Sequence, residues 1–220
     1  MVIQRRSLKA EVLERLKDLM IRGIYPPGKR LVIEEIAKEF GVSITPVREA
    51  LHHLAAQGFV ELQPHKGFVV KELTKKQIED LMELRLCLEK MGVRLFIEKK
   101  DKVYMEKLSD CVEEMRRLVE VANIEEMVSA NSRFHRIIIE GGGNRELSNV
   151  IALLGEKLHR VRILSLHSPN RLKESFKEHM AIFDAIMSGN VVAAEGAVEI
   201  HLKNITKAIM GRLSGEDSDA

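Results

Sequence analysis

Four of the five prolines, Pro26, Pro27, Pro46 and Pro64, fall in the first third of this 220-residue chain, together with its only strand-like alternation. After Leu73 the sequence turns to long helical periodicity, broken at Gly141-Gly142-Gly143-Asn144, at Ser168-Pro169 and at Gly189-Asn190. Proline fixes φ and removes a backbone donor, so the two stretches cannot share one regular architecture. Thr74-Lys75-Lys76-Gln77 has the spacing of a capping box, in which hydroxyl and amide satisfy the free donors of a helix start. The expected domains are therefore 1–72 and 73–213, followed by a flexible charged tail over 214–220. The fold class is mainly α: three helices and a two-stranded wing, then an antiparallel bundle of about six helices.

In the first domain a helix over Leu8 to Ile21 is apolar at Val12, Leu13, Leu16, Leu19 and Met20 and ends before the turn Gly23 to Gly28. A second, about Ile33 to Phe40, stops at Gly41, and Thr45 is placed to cap a third with Pro46 at its first position. Residues 59–63 and 68–71 then pair as a hairpin across Pro64 to Gly67. This is the layout of a winged helix, whose third helix enters the major groove by its amino-terminal end. Ser43, Thr45 and Arg48 lie at that end, and Arg48 can read a guanine with two hydrogen bonds. His65, Lys66 and Gly67 form the wing tip, where a cation can meet phosphate. The same layout can also serve protein contacts.

Bulk charge does not decide between these uses, because the net charge is only +2. The first 73 residues carry an excess of about three basic groups, a weak asymmetry that leaves specificity to individual contacts. Two cysteines, Cys87 and Cys111, are too few for a disulfide framework and are expected as buried reduced thiols. With no signal peptide or apolar span, a cytoplasmic location is expected and no membrane partner.

The second domain reads as helices over about 75–99, 102–120, 124–140, 145–166, 170–188 and 191–212. Three of them each carry one histidine on an apolar stripe: His135 with Val128, Asn131 and Ile138; His179 with Phe176, Phe183 and Ile186; His201 with Val198 and Ile205. Each alone is most simply a core histidine with a hydrogen-bond partner. Together they offer three nitrogens for a transition metal, zinc by default and nickel or manganese as alternatives, with Asn131 one turn before His135 as the oxygen donor. Arg85 falls on the otherwise apolar stripe Ile78, Leu81, Leu88, Leu95. It is either a salt bridge within the bundle or, with Arg162 or Arg171, a clamp for a small carboxylate effector. His159 and His167 are further pocket candidates, whereas His52 and His53 are expected to be solvated or packed on the first helix.

Residues 8–71 resemble the winged-helix domain of the GntR family of bacterial transcription regulators. The match runs through Ile24-Tyr25-Pro26-Pro27-Gly28-Lys29-Arg30-Leu31, Ile36-Ala37-Lys38-Glu39-Phe40-Gly41-Val42-Ser43, Thr45-Pro46-Val47-Arg48-Glu49-Ala50-Leu51, Leu54, Gly58 and Gly67. Ile44 stands where the family usually has Arg, so it can offer DNA only an apolar contact, as to a thymine methyl. Residues 75–210 resemble the FCD effector domain of the FadR branch, through Leu84-Arg85-Leu86-Cys87-Leu88-Glu89, Asn131-Ser132-Arg133-Phe134-His135, Asn144-Arg145-Glu146-Leu147, Glu178-His179 and His201. The resemblance implies a buried metal site on the three histidines and residue 131, where Asn131 replaces the usual Asp.

The function these features imply is a homodimeric, operator-binding regulator, a repressor, controlled by a small carboxylate at a metal centre. Two alternatives are a metal-dependent hydrolase and a metal of purely structural role. Against the hydrolase, no His-Glu-x-x-His helix is present, and Glu178 stands about 100° round the helix from His179.

Overall fold

The computed structural model describes residues 8–21, 24–56, 58–71, 74–166, 168 and 170–214, in two compact units divided between Leu73 and Thr74. His167, Gly23 and the tail beyond Ser214 lie outside the described residues.

The first unit runs α1 (Leu8–Ile21), β1 (Arg30–Leu31), α2 (Ile33–Phe40), α3 (Ile44–Ala56), β2 (Val60–Gln63) and β3 (Gly67–Val70). Val12 and Leu16 of α1, Ile36 and Ala37 of α2, and Val47, Ala50, Leu51 and Leu54 of α3 meet Phe59, Val60, Phe68 and Val70 in one core. Gly41 ends α2 in the left-handed conformation (φ 67°), with its N–H returned to the carbonyls of Ala37 and Lys38. That turn needs glycine because a Cβ is strained at positive φ. The wing differs from the expected hairpin. Its sheet has three antiparallel strands in the order β1-β3-β2, with Arg30 opposite Val69 and Leu31 opposite Phe68. A two-residue strand is too short to display alternation, which is why the sequence pattern does not reveal β1.

The helix α3 also begins earlier than expected, at Ile44. Thr45 therefore lies in the first turn instead of capping it, and Pro46 is the third helical residue. Its missing N–H still falls among the first four donors, which have no partner within the helix.

The second unit is a bundle of seven helices among the described residues: α4 (Lys75–Lys99), α5 (Lys102–Glu120), α6 (Ile124–Gly141), α7 (Arg145–Leu153), α8 (Gly155–Leu166), α9 (Arg171–Met187) and α10 (Val191–Ser214). At the head of α4 both hydrogen bonds of the capping box form, Gln77 N–H to Thr74 Oγ1 and Thr74 N–H to Gln77 Oε1, each 3.2 Å. The segment expected as one helix over 145–166 is two, separated at Leu154. Gly155, a poor helix former, is the only local sign of that break. Helix α10 packs on α4, α8 and α9, and α6 packs on α4, α5 and α8, so α4, α6, α9 and α10 surround a common interior. Cys111 is buried as expected, but Cys87 is exposed on α4.

Gly141, the last residue of α6, permits a close helix crossing. A Cβ there would overlap the Phe96 ring of α4 and stand 2.9 Å from Tyr104 Cβ of α5. Because Phe96 is fully buried, the ring cannot swing into solvent, and overpacking of this kind costs about 1–3 kcal/mol. Gly141→Ala is expected to lower the urea midpoint of the full chain accordingly; an unchanged midpoint would mean that the crossing has slack.

Candidate nucleic-acid interface and metal centre

Burial divides α3 into two faces. Val47, Ala50, Leu51 and Leu54 point into the core, while Ser43 just before the helix and Ile44, Thr45 and Arg48 on it are exposed. Ile44 is 40% exposed. At the wing, His65 and Lys66 are exposed and Gly67 is half-buried, with both His65 and Gly67 at positive φ. His52 and His53 are exposed, and the His52 ring meets Phe68 of the wing edge-on at 5.0 Å. The unit thus presents the first turn of α3 and the wing tip to solvent, the two features a winged helix brings to DNA.

In the helical unit, His135 of α6, His179 of α9 and His201 of α10 converge, with one ring nitrogen from each within 4.8 Å of the others. Phe134 walls the cluster, its ring edge-on to His135 and His179. The other ring nitrogen of each histidine is already committed. His135 Nδ1 lies 2.9 Å from Glu89 Oε2, His179 Nδ1 2.6 Å from the Ser175 carbonyl, and His201 Nδ1 2.7 Å from Glu178 Oε2. These partners are acceptors, so each Nδ1 carries the proton and donates. The three Nε2 lone pairs must then face inward. His135 Nε2 and His179 Nε2 lie 3.2 Å apart with no proton to share, and buried His201 Nε2 has no hydrogen-bond partner.

Protonation does not relieve this crowding. Burial drives the His135 imidazole down to about 3, against the pull of Glu89, and that of His201 to about 4, against Glu178. His179 is held well below its usual value by burial and by His201. Three neutral imidazoles sharing a point, each anchored through Nδ1 to a carboxylate or carbonyl, are nitrogen donors of the kind a transition metal takes. Asn131, one turn before His135, is buried as well. Its Nδ2 donates to Ser175 Oγ at 3.4 Å, and its buried Oδ1 has no hydrogen-bond partner.

The anchoring carboxylates are the functional residues that the sequence did not single out for this role. Glu89 lies within α4, and its Oε1 accepts from Arg85 Nε at 2.6 Å. Burial would raise its carboxyl, but the Arg85 charge and His135 outweigh that and hold it well below the usual range. Glu178 behaves alike: burial opposes ionisation, yet His201 and Arg171 bring it to about 2. The signal for both was chain spacing. Glu89 follows Arg85 by one turn on the buried stripe, and Glu178 precedes His179.

Arg85 and its two candidate companions, Arg162 and Arg171, are not placed alike. Arg171, at the start of α9, is taken up by Glu178, with NH1 to Oε1 at 2.7 Å and NH2 to Oε2 at 3.1 Å. It holds the carboxylate that anchors His201 and also meets Glu174, while its Nε has no hydrogen-bond partner. Arg85 is completely buried, and its NH1 and NH2 have no hydrogen-bond partner. Arg85 Nε makes the internal salt bridge with Glu89, and the rest of its fork is uncommitted. Arg162 of α8 donates from NH1 to Ser132 Oγ at 3.2 Å, and its Nε has no partner. Burial and the nearby Arg85 charge lower its guanidinium to about 9.

A helix-turn-helix with a three-stranded wing, followed by an all-helical unit built around a polar centre, defines a winged-helix regulator with a second, ligand-type domain. Two family models bear this out: "Bacterial regulatory proteins, gntR family" matches residues 8–70 and "FCD domain" matches residues 80–204. The chain belongs to the GntR family of bacterial regulatory proteins, in the branch with an FCD domain. It is 29% identical over 191 residues to the transcriptional regulator YdhC of Bacillus subtilis, covering 86% of this chain and 85% of that protein. It is 22% identical over 214 residues to the transcriptional repressor RspR of Escherichia coli, covering 97% and 93%. Its fold superposes on the structure of Escherichia coli McbR with a TM-score of 0.70 at 23% identity, covering 95% of this chain and all of the other. The chain is accordingly a transcription regulator and not an enzyme. Among the described residues no helix is long and apolar enough to cross a membrane.

The Arg85–Glu89 pair can be tested energetically. Removing one partner of a buried pair leaves the other charge uncompensated and costs about 3–5 kcal/mol. Glu89→Ala is expected to lose that much in urea unfolding of the full chain; a loss within about 1 kcal/mol would mean that the Arg85 charge reaches water.

Proposed function

We propose that the protein is a homodimeric, cytoplasmic repressor that reads an approximately palindromic operator with α3 and the wing, and whose helical unit binds a divalent transition metal and a small carboxylate effector. His135, His179 and His201 hold the metal through Nε2, with Asn131 Oδ1 as the fourth donor, and zinc is the default occupant of such a set. The observation that carries this reading is the convergence of three Nε2 lone pairs whose Nδ1 protons are already spent on Glu89, Glu178 and the Ser175 carbonyl. A bound divalent ion supplies a fixed positive centre for an anionic ligand.

The residues around the donors support an anionic effector. The free donors of Arg85 and Arg162 are cationic and buried, and a carboxylate is the small group whose geometry a guanidinium matches best. The same surroundings disfavour hydrolytic chemistry. Glu89 and Glu178 each accept from a histidine and an arginine, leaving neither available as a general base.

In the DNA reading, Arg48 supplies base recognition, Ser43, Thr45 and Ile44 complete the first turn, and His65, Lys66 and Gly67 lie along the backbone or minor groove. RspR carries the description of a repressor, and repression comes to this chain by that likeness. The effector acts by favouring one of two arrangements of the paired winged helices, which the two ligands must bind with different affinity.

Arg48→Ala is expected to weaken operator binding by about 1–3 kcal/mol while sparing non-specific affinity, and Lys66→Ala to reduce the salt slope by about one per wing. Gel shifts across a salt series measure both; an unchanged affinity for Arg48→Ala would contradict recognition by α3. For the metal, purified protein is expected to contain about one zinc-type ion per chain and to melt at lower temperature after chelation, with recovery on adding zinc. Protein free of metal and indifferent to chelator and zinc would overturn the site.

A further inference from the structure

The outer face of α4 carries a charge pattern that is its own complement. Leu84 and Met91 are 44% and 43% exposed, with Cys87 exposed between them, so the middle of the helix turns an apolar stripe to solvent. Half-buried Leu88 borders it. Exposed Lys76 and Asp80 lie before this stripe, and exposed Arg94 and Glu98 after it. At about 100° per residue the stripe and its flanking charges fall within about 80° of arc, on one side of the helix. The neighbouring α7, packed on α4, leaves Val150 and Leu153 exposed as well.

The pattern is symmetric about Cys87. Asp80 and Arg94 each stand seven residues from it, and Lys76 and Glu98 eleven. When two copies of α4 lie antiparallel with their Cys87 residues together, Asp80 comes opposite the partner's Arg94 and Lys76 opposite the partner's Glu98, and the apolar stripes meet. A parallel pair would set each charge against its own copy, and like charges in register repel. A two-fold contact between identical chains needs a self-complementary surface, which only the antiparallel arrangement supplies here. Existing contacts leave these charges free to turn to a partner. Lys76 meets Asp80 one turn away and Arg94 meets Glu195, each at 2.6 Å, but Lys76, Asp80 and Arg94 stay more than half exposed, and surface pairs of this kind are weak.

We infer that two copies of this chain dock through α4, antiparallel, with Cys87 on the two-fold axis. The inference deepens the homodimer proposed above and rests on it. Leu84, Met91 and the border residue Leu88 bury against their counterparts across the axis. The charges on either side fix direction and register, as flanking charges do in paired helices. Arg85 and Glu89 lie on the opposite, buried face of the same helix. The relay that orients His135 and the contact between copies therefore share one rigid element.

The test is the oligomeric state of the full chain, read by sedimentation across a dilution series. Leu84→Arg is expected to weaken the dimer by at least about 30-fold, the level of a hot-spot side chain. Ile200→Arg, at a more exposed apolar position on α10, is expected to leave it unchanged. Asp80→Arg and Arg94→Asp are each expected to weaken it by about tenfold or more, and the chain carrying both to recover, because the swap restores complementary pairs. In the unmodified chain a short bis-maleimide is expected to join Cys87 to the partner's Cys87, with no product from Cys87→Ser, since Cys111 is buried. A dimer that Leu84→Arg leaves intact, or that gives no crosslink at Cys87, would overturn this face while leaving the homodimer standing. Single charge variants without effect, or no recovery when they are combined, would overturn the antiparallel register. A monomer at every concentration would remove both the face and the homodimer.

Discussion

The interior of the helical unit depends on one buried relay, in which the Arg85 guanidinium holds the Glu89 carboxylate and Glu89 holds the His135 Nδ1 proton. An ionised carboxylate is tolerated at that depth only because a fully buried cation and an imidazole N–H both address it. The consequence is felt at the far side of the ring. With its proton fixed at Nδ1, His135 turns a lone pair toward His179 and His201. Arg171, Glu178 and His201 repeat the device from α9 and α10, and the Ser175 carbonyl does it for His179 with backbone alone. Three different anchors therefore produce one outcome, an unprotonated Nε2 from each of three helices at a single point.

Much of this centre was legible in the sequence because helical periodicity assigns a residue to the inner or outer face. His135, His179 and His201 each read as inward, and Asn131 stands one turn from His135 on the same face. The anchoring partners were harder to see, since they are relations between helices. Glu178 reads as misplaced because it is turned about 100° from His179. That rotation is what lets it reach across to His201 and Asn204 on α10. Arg171 reads only as a possible companion to Arg85, yet its position two turns before Glu178 lets its fork close on that carboxylate within α9. Periodicity tells which side a residue faces but not which neighbour it meets.

The same limit explains the differences in fold. Strand β1 is too short to carry a pattern, and its existence depends on β3 offering Val69 and Phe68 as partners. The break at Leu154 has no proline to announce it, only Gly155 one residue on. Cys87 lies on a long helix whose stripe is broad enough to suggest burial, but its side of α4 faces outward. In the winged helix, periodicity separates the core face of α3 from its exposed face. The core residues of α3 recur at helical spacing, and Ile44, Thr45 and Arg48 are among the residues left exposed.

The central claim is that the three imidazoles form a coordination sphere and are not simply a hydrogen-bonded core. X-ray absorption at the zinc edge of the purified, zinc-loaded protein tests it most directly. The account requires a first shell of three imidazole nitrogens at about 2.0–2.1 Å with oxygen completing it and no sulfur near 2.3 Å. A shell containing cysteine sulfur, or one with fewer than three imidazoles, would place the metal elsewhere on the chain and contradict the account.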